Sequence, residues 1–278
     1  MRLKRIAALA AVLLLALPGA VRAQLPTPEV AQAWRNNPWV GKIKERGVLK
    51  VGFDTFVPWA MKNKKGAYVG FEIEVALALA DDLGVAAEFV PTAWDGIIPA
   101  LLTSKFDVII GGMGITEERR QRVAFTDPYE FSGIGIAASR ISAPGLSSLS
   151  DFNKKNIVVA VKGGTTAAIA AKELLPEATI EAFDTEGQTM QELLSGRAQA
   201  ILAGAPFPAD LAARNPDRIY VPISGTLTQE PIGMALNPRD TEALPALNAW
   251  IGSRQAGGWL SDRWSYWFET LDWEPKVR

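Results

Sequence analysis

Apolar and polar positions change period several times along the chain. Residues 42–46 predict a short helix that Gly47 stops, and Val48-Leu49-Lys50-Val51-Gly52-Phe53 predicts a strand. Residues 56–65 predict a loop, with the Lys cluster around Gly66 as a solvated hairpin tip. From Glu72 the period becomes helical: Ile73, Val75, Ala76, Leu79, Ala80 and Leu83 share a face until Gly84. Strands over 87–90 and 106–110 then alternate with a short helix over 97–102 and a helical turn from Glu117. The run 133–139 is apolar and β-like, and the Ser, Pro and Gly of 140–150 predict a connection. Alternation restarts with strands over 157–161, 179–183 and 200–202 and helices over 166–175 and 189–196, and 232–236 predicts a further strand.

Strands alternating with helices imply α/β layering with a largely parallel sheet. Two such blocks joined by strand-like segments predict two lobes with a cleft between them. The stretch 244–271 predicts aromatic helix, in which Leu260, Trp264, Trp267, Phe268 and Leu271 fall on one face, a stripe read as core. Residues 24–38, rich in Pro and Asn, predict an extended lead-in.

The first residues stand apart. Arg2, Lys4 and Arg5 precede an apolar run over 6–17, and Val21-Arg22-Ala23 offers a small-residue cleavage site. The run is shorter than the roughly 20 apolar residues a membrane span needs, so 1–23 reads as a cleaved secretory signal. No Cys follows it, which excludes a lipoprotein anchor. Removing 1–23 takes four basic residues (Arg2, Lys4, Arg5 and Arg22) and no acids, so the formal charge moves from -1 to -5. A mildly acidic chain lacks the electrostatic footprint of a nucleic-acid-binding protein.

Composition then narrows the chemistry. The chain has no Cys and no His. That excludes disulfides, thiolate nucleophiles, Ser-His-Asp triads, and zinc or iron–sulfur sites built on Cys or His. No cofactor or metal is expected, and binding is favoured over catalysis.

Several segments then coincide with one family. Gly70-Phe71-Glu72-Ile73-Glu74-Val75 with Leu79, Ala80 and Leu83 resembles the signature of the family 3 extracellular solute-binding proteins, the polar amino-acid receptors of bacterial ABC importers. Trp94-Asp95-Gly96-Ile97-Ile98-Pro99-Ala100-Leu101 is similar to its aromatic-x-Gly-Leu/Ile-Ile-Pro-Ala-Leu segment. Residues 107–119 resemble its strand, binding loop and Thr-x-x-Arg element, and Phe125-Thr126-Asp127-Pro128-Tyr129 the segment after it. Val161-Lys162-Gly163-Gly164-Thr165-Thr166 resembles its second-lobe loop, and Glu230-Pro231-Ile232-Gly233 its return crossing. The resemblance spans about residues 47–275. It implies the two-lobed α/β periplasmic-binding-protein fold of type II: lead-in 24–46, lobe 1 over 47–131, lobe 2 over 132–231, and a return to lobe 1 over 232–278. It also implies a receptor and not an enzyme, a monomer residing in the periplasm, whose partners are a small carboxylate ligand, expected to be an amino acid, and an inner-membrane ABC permease.

The resemblance assigns site residues too. Arg119 can clasp a carboxylate with two parallel bonds, as Lys cannot, and Thr116 three residues before it fits the family element. By itself Arg119 could equally be a surface residue, as Arg120 and Arg122 are expected to be. Thr165 and Thr166 open a helix, where free N–H groups favour an anion, and the resemblance brings them onto the same carboxylate from the opposite lobe, with Lys162 nearby. Gly112 and Gly114 belong to the first-lobe binding loop. Phe56 and Trp94 match the family's aromatic walls, or are ordinary core, and Asp54 matches a position that in some members touches a polar ligand side chain.

In two places the chain departs from the pattern. The family holds the ligand α-ammonium with a first-lobe Ser or Thr and a second-lobe Asp; those positions fall on Gly114 and on Gly204-Ala205-Pro206. Either another acid serves, Asp54 or Glu230, or the ligand is a carboxylate without an α-amino group. Two other classes remain open beside the receptor: a cyclohexadienyl- or arogenate-dehydratase-like enzyme on the same scaffold, and a soluble sensor module.

Overall fold

The computed structural model describes residues 26–270 and 272–277. The expected signal over 1–23 and Leu271 of the aromatic stripe lie outside the described residues. Two five-stranded sheets form the frame. In the first, Val48–Phe53 lies between Ala86–Pro91 and Val108–Ile109, parallel to both, and Ala235–Leu236 and Ala124–Phe125 complete it with antiparallel pairing. In the second, Val158–Lys162 lies between Thr179–Phe183 and Ala200–Gly204, again parallel, while Ile134–Ser139 runs antiparallel to Ala200–Gly204 and Ile219–Tyr220. The expected α/β alternation and two-lobed layout are those of the structure.

Two strands outside both sheets connect them. Glu130–Ser132 pairs antiparallel with Glu230–Ile232, and Gly114 bridges to Ile232. Ile115 N–H donates to the Pro231 carbonyl at 2.8 Å and Gly233 N–H to the Met113 carbonyl at 3.1 Å. The loop after the strand Val108–Ile109 is thus zipped to the return crossing. This contact positions the site.

The lead-in is helical rather than extended. Pro28–Trp34 and Pro38–Arg46 are both helices, each with Pro in its first turn and a side-chain cap, Thr27 and Asn37. Pro at a first helical position surrenders an N–H that has no intrahelical partner anyway, so here it starts helices instead of preventing them. Val30, Trp34, Trp39, Val40 and Ile43 are buried in the core of the first sheet.

Other boundaries shift for similar reasons. The helix expected from 189 begins at Glu186, behind a capping box of Thr185 and Gln188. The helix expected from 97 begins at Trp94. Residues 232–236 are divided by Gly233 into the ends of two different strands. The loop 56–65 contains a Phe56–Ala60 bridge and half of the hairpin Met61–Lys62 with Tyr68–Val69, and its Lys-rich tip is exposed as expected. The aromatic stripe is core: Leu260 and Trp267 are buried, and the Trp264 and Phe268 rings pack against Trp59 and Phe71.

Candidate ligand-binding site

A small cavity lies between the two sheets, lined by Asp54, Phe56, Trp59, Trp94, Gly111, Gly112 and Arg119 on one side and Lys162, Thr165, Thr166, Ala167, Glu186 and Gly204 on the other, with Ser132, Ile134, Glu230 and Ile232 at the crossing strands. Eight of the nine residues singled out from the sequence line it. The ninth, Gly114, abuts it through Glu230, Arg119 and Thr166.

Arg119 sits on the four-residue helix Glu117–Arg120, whose N-cap Thr116 accepts from the Arg119 N–H at 3.2 Å. That turn points the side chain inward, and Arg119 is buried while Arg120 and Arg122 are exposed. Its Nη1 donates to the Gly114 carbonyl at 2.8 Å and its Nη2 to the Gly164 carbonyl at 3.1 Å. The second bond crosses from one lobe to the other. Two of five guanidinium N–H groups are engaged in this way. The guanidinium carbon also lies 5.5 Å from the centre of the Trp94 ring. Burial lowers the Arg119 pKa, and the charges of Glu230 and Glu118 oppose that shift.

Trp94 joins the same junction, since its Nε1 donates to the Gly164 carbonyl at 3.0 Å. One second-lobe carbonyl oxygen therefore accepts from two first-lobe side chains. Gly164 has a φ of +69°, a left-handed backbone that Gly adopts without a Cβ penalty. Just beyond it, the Thr165 hydroxyl caps the helix Thr166–Leu174, accepting from Ala168 N–H at 3.4 Å and donating to the Lys162 carbonyl at 2.7 Å. The Thr166 hydroxyl donates to Glu230 Oε2 at 2.7 Å.

At the other end, Lys162 Nζ and Asp54 Oδ2 form an ion pair of 2.6 Å. Glu186 stands beside them. Burial pushes its carboxyl up to about 7, with Lys162 opposing and Asp54 adding to the rise, and its Oε2 is a buried oxygen with no hydrogen-bond partner. Nothing in the sequence singled out Glu186, which precedes the helix expected from 189. Trp59, also missed inside the expected loop, donates from Nε1 to the Ala205 carbonyl at 3.1 Å across the cleft. Phe56 crosses as well: its ring lies against Gly204 and tilts on Phe207 at 5.9 Å. Among the described residues no group of three or more acidic side chains is arranged to hold a metal.

The model for bacterial extracellular solute-binding proteins, family 3, matches residues 49–270. The chain belongs to this family. Among curated proteins, it is 30% identical to the L-cystine-binding protein TcyJ of Escherichia coli (strain K12) over 254 residues, 91% of this chain and 94% of that one. It is 25% identical to the cyclohexadienyl dehydratase of Pseudomonas aeruginosa over 233 residues, 82% of this chain and 85% of the enzyme. Among solved structures, it resembles the ancestral amino acid-binding protein AncCDT-1, a precursor of cyclohexadienyl dehydratase. That match has 42% identity and a TM-score of 0.74, covering 83% of this chain and 99% of the other. The family's members are extracellular solute-binding proteins, and the two-lobed fold is shared.

Proposed function

We propose that this protein is a periplasmic receptor for an amino acid or amino-acid-like carboxylate, which it captures by lobe closure and delivers to an inner-membrane ABC permease. The observation that carries the reading is Arg119. A buried guanidinium at a lobe junction, facing a capped helix N-terminus that brings Thr165 and Thr166, is the arrangement a carboxylate clamp requires. Trp94 and Phe56 wall the cavity, and Lys162 with Asp54 sets its far end. The residues 1–23 act as the export signal, and the receptor works as a monomer without a cofactor.

Calorimetry of the mature chain tests this directly. A panel of L-amino acids and small organic acids is expected to contain a ligand, and Arg119→Ala is expected to lose it with the fold intact. Retention of full affinity by that variant would remove the clamp.

A second reading rests on Glu186. A carboxyl pushed up to about 7 in a cleft is part-protonated at neutral pH and could serve as a general acid for dehydration. A dehydratase is among the relatives. Incubation with prephenate and arogenate separates the two: turnover abolished by Glu186→Gln supports the enzyme, and no turnover leaves the receptor.

A further inference from the structure

One buried carboxyl lies behind the cleft rather than in it. Glu72 is fully buried in the first turn of the helix Phe71–Leu83. Its Oε2 accepts from the Tyr129 hydroxyl at 2.7 Å, and its Oε1 is a buried oxygen with no hydrogen-bond partner. Tyr129, Glu130 and the Gly112 N–H act on the carboxyl, and none of the three is a cation. A helix N-terminus favours a negative charge, but burial outweighs it here and pushes the carboxyl up to about 8.

Three parts of the cleft wall meet at this group. The Glu72 N–H donates to the Trp59 carbonyl at 2.9 Å. The Trp59 ring lies against Gly112, where a Cβ would stand 3.2 Å from Cε3 and where φ is +68°. Tyr129, which holds the carboxyl, donates its own N–H to the Ile232 carbonyl at 3.0 Å and leads into the crossing strand Glu130–Ser132. Trp59, Gly112 and Ile232 all line the cavity. They come from three separate segments, and the bond between Glu72 and Tyr129 ties the first of them to the third.

We propose that Glu72 is a positioning residue for ligand capture, and that its neutral carboxyl clamps the Trp59 wall and the Gly112 loop to the crossing strand. The effect on affinity rests on the receptor reading above, whereas the clamp itself does not. An anion at this place has no cation to pair with, so loss of the proton draws the carboxyl towards water. The first turn of the helix moves with it, and the Trp59 carbonyl loses its donor. The receptor therefore holds its cleft wall firmly below the ionisation of Glu72 and loosely above it.

Hydrogen exchange of the mature chain, read by mass spectrometry, tests the clamp without any ligand. Peptides covering 56–62 and 110–116 are compared between wild type and Glu72→Gln at pH 6 and pH 9, with the second-lobe strand Val158–Lys162 as reference. Gln keeps an acceptor for Tyr129 and does not ionise, and both proteins carry Glu186, so its titration cancels. The two are expected to exchange alike at pH 6. At pH 9 both wild-type peptides should exchange about tenfold faster than those of the variant, with the reference strand unchanged. In calorimetry with the twenty L-amino acids, the affinity of Glu72→Gln relative to wild type for the tightest binder should rise about tenfold over the same range. Equal exchange at pH 9, a difference of the same size at both pH values, an equal change in the reference strand, or a constant affinity ratio overturns the inference and leaves the receptor reading standing. Failure of all twenty to bind overturns the receptor reading, and the exchange then decides the clamp alone.

Discussion

Lys162 Nζ lies 2.6 Å from Asp54 Oδ2, and the bond joins the end of a second-lobe strand to the loop after the first strand of the other lobe. Both side chains are largely withdrawn from water, and each is the other's counter-charge. Removing one partner of such a pair strands the other and costs about 3 kcal/mol. Lys162→Met should be the more damaging change, because it strands Glu186 as well as Asp54. Asp54→Asn leaves Lys162 with Glu186. In a double-mutant cycle by urea unfolding, the double variant should be less destabilised than the sum of the singles. Effects that add within about 0.5 kcal/mol would show that the pair contributes no coupling.

Arg119 gives a second prediction, about geometry as well as charge. It holds two backbone carbonyls, on Gly114 and Gly164, and must also present a fork to the ligand. Arg119→Ala should weaken ligand binding by about a thousandfold, two charge-assisted bonds at roughly 2 kcal/mol each. Arg119→Lys keeps the charge but has a single nitrogen for all these acceptors, so it should recover only a small part of that loss. Near-wild-type affinity for the Lys variant in calorimetry would mean that charge alone suffices.

The sequence made the alternating frame legible because strands and helices differ in period, and the binding motifs legible because they are contiguous. Arg119, Thr165, Thr166 and Trp94 each sit in a short run whose local conformation is fixed by neighbours such as Thr116 and Gly164. The first helix and the start of the second, whose 42–46 part was expected, were hidden because Pro28 and Pro38 read as breakers, although both stand where a helix lacks an N–H bond. Glu186 was hidden behind a capping box that explains its position equally well. The placement of Glu230 needed the pairing of residues 113–115 with 231–233, a long-range register that no local pattern encodes.

Glu72 supplies a pH prediction. It is fully buried, accepts from the Tyr129 hydroxyl at 2.7 Å, and has its carboxyl pushed by burial from 4.5 up to about 8. Between those values the folded chain binds a proton that the unfolded chain has lost, so stability falls as pH rises through the window. The full difference is on the order of a few kcal/mol. Glu186 titrates in the same sense, so the comparison of wild type with Glu72→Gln is what isolates the effect. Gln can still accept from Tyr129 but does not titrate. Its advantage over wild type in urea unfolding should therefore grow from pH 5 to pH 8. A constant difference across that range would place the Glu72 titration elsewhere.

Gly204 sets the final test. The family resemblance leads one to expect an Asp at the end of this strand, where Gly204 stands, and restoring one offers a new acid to the cleft. The structure argues against that change, because a Cβ at Gly204 would lie 3.2 Å from Phe56 Cε1 and 3.5 Å from Cζ. The ring occupies the approach, and it also leans on Phe207. Gly204→Asp must displace an aromatic wall and put a further acid in a cleft already lined by Asp54, Glu186 and Glu230, so on its own it should weaken binding by about tenfold or more. Combined with Phe56→Ala, which clears the space, the same Asp should do less harm than it does alone. The effects should then be strongly non-additive in calorimetry. An affinity gain from Gly204→Asp by itself would show that the ring yields freely, and that Phe56 is no fixed wall of the site.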